Sequence, residues 1–286
     1  MKFQFILQNH RVLAVEKMCQ FFGVSRSGYY CWVNKKTTPR EKKNKLLVEK
    51  IREIFNESKM RYGAPKVYIK LKKAGISAGL NLVARLMREN EMRSKVKKKF
   101  KITTHSKHNH QIAPDLLKRN FKANKENRVW VADITYIWTM AGWVYLAMIL
   151  DVYSRKIVGW SLSDRLKTAV VIEAFNKAVN REKPSSGLIF HSDKGSQYAC
   201  GEFKKELGKN KMIQSMGKNG SYDNAMAESF FHLLKTELAY GTTFASREMV
   251  NREVFEYIEV FCNRERPHSG LGGLSPEEYL ILNKIA

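Results

Sequence analysis

This sequence lacks paired cysteines and long apolar runs. Its four cysteines are scattered along 286 residues without a C-x-x-C pair, so neither a disulfide framework nor a zinc ribbon is indicated. The longest apolar runs, such as residues 143–150, are too short to span a bilayer. The N-terminus MKFQFILQNHRV lacks the apolar core and cleavage site of a secretory signal. We therefore expect a globular, cytoplasmic protein of two or three domains with no membrane partner.

Acidic residues are scarce in the first part of the chain. Of the formal net charge of +24, residues 1–110 carry +20, from 27 basic and 7 acidic side chains. A basic region joined to a nearly neutral body indicates binding to a polyanion. No long basic amphipathic helix with an aromatic face is present, so DNA is favoured over a membrane surface. We expect the protein to lie on the nucleoid.

Two helical segments precede the body. Residues 12–32 give an apolar helix-like run, a break at Gly23 and a second short helix, which is a helix-turn-helix pattern with Arg26 near the start of the candidate recognition helix. A second helical unit is predicted to follow. Residues 45–57 carry apolar side chains at helical spacing, and a helix from Gly63 to Lys73 is ended by Gly75. A further helix is capped by Ser77.

The chain then changes character. Residues 93–125 mix many basic side chains with little apolar periodicity, which predicts a flexible basic linker that tracks phosphates. The expected division is a helix-turn-helix segment over 1–40, a second DNA-binding segment over 41–92, the linker over 93–125 and an α/β body over 126–286.

The body begins with strands. Residues 130–138, 142–150 and 156–163 are aromatic and β-branched with short turns between them, which predicts a three-stranded antiparallel meander. A helix over 168–181, a strand at 188–190, a further helix, a short strand near 212–214 and two longer helices follow. This order predicts a mixed sheet with helices on both faces.

Three acids occupy positions that suit a metal site. Asp133 interrupts the first strand and Asp193 closes the fourth, so the two converge if those strands are neighbours. Asp223 is placed to cap a helix that carries Glu228, with Lys235 seven residues further along the same face. Carboxylates that face each other repel unless a cation lies among them, and oxygen ligands suit Mg²⁺ or Mn²⁺. Two such ions promote phosphodiester displacement, with Lys235 contacting a DNA phosphate.

Other readings of these residues remain open. Singly, each acid is as well explained as a turn former, a helix-start charge or a hydrogen-bonded strand acid. Gln197 and Asn224 either orient the acids or contact DNA, or make ordinary turn and cap hydrogen bonds. We interpret Asp151 as a structural turn residue and His268 as structural or a DNA contact.

The motifs together resemble a known family. WVADITYI, YLAMILDVYSRKIVGW, FHSDKGSQY, YDNAMAESFFHLLKTEL and NRERPHSGLGGLSPEEY are similar to the integrase-like transposases of the insertion-sequence-three family, from about residue 10 to 282. The resemblance implies a ribonuclease H-like core with a five-stranded sheet, in which Asp133, Asp193 and Glu228 are the catalytic and metal-binding DDE acids. The 34 residues between Asp193 and Glu228 fit the family's short spacing, and Lys235 matches its basic residue.

The resemblance also implies an activity and partners. Two Mg²⁺ ions, which Mn²⁺ can replace, support cleavage at the ends of a DNA element, and the freed 3′-OH joins target DNA. Family members often act as a frameshift fusion with an upstream reading frame that supplies a leucine zipper, and this chain shows no heptad run of its own. A homo-oligomer on DNA is expected. The alternatives are an inactive DNA-binding regulator and a metal-dependent nuclease that hydrolyses without joining.

Overall fold

The structure is a computed structural model that describes residues 1–34, 38–94, 111–218 and 222–285. None of the helices in these ranges is both long and apolar enough to cross a membrane.

The first helical unit has the predicted helix-turn-helix arrangement. It consists of α1 (Lys2–Asn9), α2 (Val15–Phe21) and α3 (Arg26–Val33). Gly23 turns the chain with φ 59°, and the Ser25 hydroxyl caps α3 by accepting a hydrogen bond of 3.0 Å from the Gly28 N–H. A small core of its own closes the unit, built from Ile6, Met18, Cys19 and Tyr29.

The second helical unit consists of α4 (Pro39–Glu57), α5 (Ala64–Lys73) and α6 (Leu80–Glu89). Helix α4 begins before the predicted residue 45 because Thr38 and Glu41 form a reciprocal capping box. Gly75 ends the predicted α5 with φ 72°, as expected. The predicted cap at Ser77 is wrong, since Gly79 occupies the N-cap position of α6 without a side-chain cap.

Residues 95–110 of the predicted linker lie outside the described residues. Its last part, residues 111–125, packs on the body instead of forming a flexible segment. The Leu116 N–H donates to the Ser215 hydroxyl at 2.9 Å, and Lys204 donates to the Gln111 carbonyl at 2.8 Å. Leu117 is buried in the core. A few apolar side chains therefore dock this part in spite of its weak periodicity.

The body contains the predicted mixed five-stranded sheet. Its strands are β1 (Val129–Thr139), β2 (Gly142–Asp151), β3 (Ile157–Ser163), β4 (Ile189–Ser192) and β5 (Ile213–Met216). Their order is β3-β2-β1-β4-β5; β1, β2 and β3 form the predicted antiparallel meander, and β4 and β5 run parallel to β1. The sheet places the end of β4 beside Ala132 in the first half of β1.

Helices cover both faces of the sheet. They are α7 (Thr168–Glu182), α8 (Ser196–Ala199), α9 (Gly201–Lys209), α10 (Ala225–Leu234), α11 (Arg247–Phe255) and α12 (Pro276–Ile285). Helix α10 continues as a π-helix over Lys235–Ala239, and α11 continues as one over Glu256–Glu265. Buried α7 and α9 side chains share one core with the sheet, and those of α10 and α11 share the other. Gly159 lets α7 approach β3 closely, because a Cβ there would lie 2.4 Å from the Ala174 carbonyl oxygen.

A buried ionic cluster joins the second helical unit to the body. Arg266 donates to the Glu237 carboxylate at 2.6 Å and the Tyr257 hydroxyl donates at 2.9 Å, while Lys66 of α5 lies 3.7 Å from the same carboxylate. The Arg61 guanidinium lies 4.5 Å from the centre of the Phe261 ring. We call these six residues the Glu237 cluster. It fixes the second helical unit against the continuation of α10, the helix that carries Glu228.

Candidate active site

The sheet register brings Asp133 and Asp193 together. Ala132 of β1 pairs with Ser192 of β4 in parallel register. Asp133 directly follows Ala132, and Asp193 directly follows Ser192. Neighbouring strands lie about 4.8 Å apart, so the two carboxylates meet at the end of β4. Asp133 accepts a hydrogen bond of 2.7 Å from the Ile134 N–H, and Asp193 accepts one of 3.0 Å from the Gly195 N–H. The condition for the predicted convergence, that the two strands are neighbours, is met.

Asn224 attaches the helix that carries Glu228 to the first of these strands. Its side-chain N–H donates to the Ala132 carbonyl at 2.8 Å, one residue before Asp133. Asn224, rather than Asp223, is the N-cap residue of α10. The predicted cap at Asp223 is wrong: its carboxylate accepts from the Arg119 guanidinium at 2.8 Å and from the Lys218 N–H at 2.9 Å.

His191 provides a second attachment, which the sequence did not predict. Its Nε2 lies 2.9 Å from the Asp223 carbonyl oxygen, and its Nδ1 lies 2.9 Å from the Ser215 hydroxyl. A carbonyl only accepts, so Nε2 carries the proton and Nδ1 accepts from Ser215. Burial lowers the pKa of His191, which favours this neutral form. The start of α10 is thereby fixed to both β1 and β4, and the only sequence signal was a polar residue inside a buried strand.

The three acids interact through their charges. Burial raises the pKa of the half-buried Asp133 well above its usual value, the Asp193 charge raises it further, and Glu228 adds to the effect. The Ile134 N–H and the Lys235 ammonium act in the opposite direction. Burial also raises the pKa of Glu228, as do the charges of Asp223 and Asp193. The site thus concentrates negative charge that a cation would relieve.

The residues at this site fit a hard divalent cation. Their donors are carboxylate oxygens, and the buried Oδ1 of Asn224 has no hydrogen-bond partner within the described part of the chain. Across residues 1–34, 38–94, 111–218 and 222–285, no three His, Cys, Asp or Glu side chains stand close enough together to hold a metal ion. Chelation therefore requires the exposed Glu228 side chain to approach the two aspartates.

The predicted DNA contacts have different surroundings. Lys235 is buried, with its ammonium 4.6 Å from the centre of the Tyr136 ring, and burial lowers its pKa while Asp133 raises it. Gln197 is half-buried in α8, four residues after Asp193. Arg26 lies at the first position of α3 in the first helical unit, is exposed, and forms an ion pair of 3.3 Å with Glu16.

Asp151 and His268 have structural surroundings. Asp151 is buried and accepts hydrogen bonds from the Asn127 N–H and from the Ser154 N–H and hydroxyl, at 2.6–2.9 Å. These bonds close the turn after β2, as interpreted from the sequence. His268 pairs through its backbone with Leu274, and burial lowers the pKa of its ring to about 4.

Comparison with protein families places these residues in known domains. Two models described as integrase core domain match residues 123–221 and 228–281, and one described as HTH-like domain matches residues 41–100. Among solved structures, the HTLV-2 integrase catalytic core domain in complex with magnesium has a TM-score of 0.42 at 15% identity, over 55% of this chain and 99% of that one. A simian T-cell lymphotropic virus intasome chain has a TM-score of 0.47 at 12% identity, over 80% of this chain and 73% of that one.

The similarity to curated proteins extends over nearly the whole chain. Transposase InsF for insertion sequence IS3A of Escherichia coli is 36% identical over 282 residues, which is 98% of both chains. The insertion element IS600 uncharacterized 31 kDa protein of Shigella sonnei is 40% identical over 263 residues, or 92% of this chain and 97% of that one. The chain belongs to the insertion-sequence-three family of transposases.

Proposed function

We propose that this chain is the transposase of a bacterial insertion sequence, which cleaves the element ends and joins the freed 3′-OH to target DNA. The observation that carries the proposal is that Asp133 within β1 lies beside Asp193 at the end of the neighbouring β4, with Glu228 on a helix fixed to both strands. These three acids would hold Mg²⁺ or Mn²⁺. Two such ions, when bound, would activate the attacking hydroxyl and stabilise the leaving oxygen.

The chain's own groups prepare the site for this chemistry. Asn224 and His191 set the position of α10, the helix that carries Glu228, against β1 and β4. The raised pKa of Asp133 means that cation binding displaces a proton from the site at low pH. Lys235 offsets part of the acidic charge in the absence of a cation. The elements that carry the three acids are therefore joined by hydrogen bonds before a cation binds.

DNA is the proposed partner of the basic N-terminal region, which carries +20 of the net charge of +24. Arg26 and Gln197 are proposed to contact DNA as they stand, since one is exposed and the other half-buried. Asn224 and Lys235 contribute through the fold of the site, and a direct contact with DNA would require Lys235 to leave the Tyr136 ring. The chain is further proposed to act as a homo-oligomer on DNA, together with the upstream reading-frame product. Its proposed location is the cytoplasm, on the nucleoid.

End cleavage and strand transfer test this function directly. The full chain, with the upstream product supplied, is incubated with DNA from the element's own flanks, in Mg²⁺ or in chelator. Glu228→Gln is compared with Glu202→Gln, which makes the same change at an exposed position in the first turn of α9. Joined products that need both metal and Glu228, and that survive in Glu202→Gln, are expected. Asp193→Asn should lose cleavage and keep DNA binding, because the basic surface lies elsewhere.

Two other outcomes would overturn the proposal. Metal-dependent hydrolysis without any joined product would make the chain a nuclease. DNA binding without cleavage in every condition, in the presence of the upstream product, would make it a regulator.

A further inference from the structure

Exposed aromatic rings extend from the site along the β1–β2 hairpin. Strand β4 ends at Ser192, whereas β1 continues past Asp133 to Thr139 and turns back into β2. On this projecting hairpin Trp138 is 58% exposed and Trp143 is 46% exposed, although Trp130 in the same strand is fully buried. Exposed large aromatic rings that lie together are more typical of a binding surface than of the rest of a protein's surface.

The rings form one connected set. Tyr136 and Trp143 have centroids 5.0 Å apart, and Trp143 and Trp138 have centroids 4.8 Å apart, both edge to face. Trp138 and Trp143 are also direct partners in the strand register. We call Tyr136, Trp138 and Trp143 the hairpin platform.

The hairpin is held in place at its tip. The Met140 N–H donates to the Phe244 carbonyl at 2.9 Å, and the Thr139 hydroxyl donates to the Gly142 carbonyl at 2.7 Å. Phe244 is buried, so it ties the tip to the body. The rings are therefore presented on a fixed support, and little conformational entropy is lost when a ligand binds them.

The platform is connected to the acid site through Lys235. The Lys235 ammonium lies 4.6 Å from the centre of the Tyr136 ring and also interacts with the charge of Asp133. At the other side, β3 ends at Ser163 opposite Tyr145, and the residues that follow include the exposed Arg165 and Lys167, with Asp164 as the one acid among them. The exposed Arg165 and Lys167 thus place positive charge on one side of the rings, and Lys235 lies beside the acids on the other. With a cation bound to the acids, this surface favours a polyanion that also presents flat apolar faces.

We propose that the hairpin platform stacks an unpaired nucleobase of the DNA strand held at the acids. Stacking of a base on an aromatic ring tolerates every base, because each one has a π-face. A surface of this kind suits a site that receives element ends and targets of different sequence. The inference rests on the proposed function, since DNA must lie at Asp133 and Asp193 for the strand to reach the rings.

Binding of the full chain to three labelled duplexes tests the platform. The duplexes share one sequence, and their last two nucleotides on one strand are paired, unpaired or unpaired and abasic. Anisotropy gives the affinity, and tryptophan emission reports stacking by quenching. We expect the unpaired duplex to bind more tightly than the abasic one and to quench the emission.

Substitutions assign the effect to the rings. Trp138→Ala and Trp143→Ala should each weaken binding of the unpaired duplex by about tenfold and leave the abasic duplex unchanged, while Trp143→Phe should recover most of the loss. Phe255→Ala is the matched control, because Phe255 is 54% exposed on α11. Circular dichroism checks the fold; if Trp143→Ala unfolds, the more exposed Trp138→Ala carries the test.

Three results would overturn the inference. One is an equal loss on unpaired and abasic duplexes, and another is no loss on either. The third is dissociation of an oligomer by Trp138→Ala in sedimentation without DNA, which would make the rings a surface between protein chains. Failure of the proposed function is separate, since it would show as absent metal-dependent cleavage by the unsubstituted chain whatever the stacking result.

Discussion

Replacing Asp133 by asparagine should make the metal-free protein more stable. Two carboxylates on neighbouring strands about 5 Å apart repel by about 3 kcal/mol at an effective dielectric constant of about 20. Both aspartates are half-buried, and Lys235 attracts Asp133, so we expect a net gain of about 1 kcal/mol. The amide oxygen of asparagine keeps the hydrogen bond from the Ile134 N–H. For a chain of this size the gain corresponds to an increase in Tm of about 2–3 °C.

The pH dependence of this gain follows from the direction of the Asp133 pKa shift. Because the folded-state pKa of Asp133 is raised, this side chain contributes its full stabilisation to the unsubstituted chain below its unfolded pKa of 3.8. That contribution is lost as pH rises through the folded-state pKa. The Tm difference between Asp133→Asn and the unsubstituted chain should therefore increase as pH rises above 3.8. Mg²⁺ should raise the Tm of the unsubstituted chain only, because a ligand stabilises the state that binds it.

Asp151→Asn is the matched control in the same sheet. Asp151 accepts hydrogen bonds from two N–H groups and a hydroxyl, and an amide N–H would face at least one of these donors. Its Tm should fall, with a loss of about 1–3 kcal/mol. Thermal unfolding in chelator measures both variants. A lower Tm for Asp133→Asn, similar to that of Asp151→Asn, would refute the repulsion on which the argument for a cation depends.

Three further substitutions test the packing and the Glu237 cluster. Arg266→Met should cost about 3–5 kcal/mol in denaturant unfolding because it leaves Glu237 charged and buried, and adding Glu237→Leu should recover much of the loss. Gly159→Ala should cost about 2–3 kcal/mol, since its Cβ would lie 2.4 Å from the Ala174 carbonyl oxygen; an unchanged Tm would contradict the close approach. Burial lowers the pKa of Lys66 to about 8, so its charge opposes folding below that pH. Lys66→Met should therefore raise the Tm at pH 7, by an amount that shrinks above pH 8; a lower Tm at pH 7 would show that the ion pair outweighs the burial.

The sheet was predictable because its strands are encoded locally. Alternating aromatic and β-branched residues gave β1, β2 and β3 nearly to their ends. The start of α4 was missed because its first turns carry little apolar pattern, and only Thr38 and Glu41 mark it. The second part of α10 was read as an α-helix, but it winds as a π-helix from Lys235 onward. That change alters which side chains share the face of Glu228.

The acids were predictable, but the contacts that position them were not. Asp133 and Asp193 lie at strand positions, so their convergence follows from which strands are neighbours. The contacts of His191 with Ser215 and Asp223 join residues 24 and 32 positions apart, and no local pattern encodes such pairs. Arg266 and Glu237 lie 29 positions apart and are buried together, a pairing that no sequence pattern marks. Periodicity along the sequence does not show which residues far apart in the chain contact each other.

The Glu237 cluster determines which parts of the chain can be exchanged independently of the others. Lys66 and Arg61 come from the second helical unit, whereas their partners lie at the C-terminal end of the chain. A protein shortened to begin after residue 94 would expose the Phe261 ring and remove one cation from beside Glu237. The first helical unit has a core of its own, so it can be exchanged without disturbing the Glu237 cluster. Residues 39–94 must instead be inherited together with the C-terminal helices, whereas residues 1–34 are free to diverge without disturbing that contact.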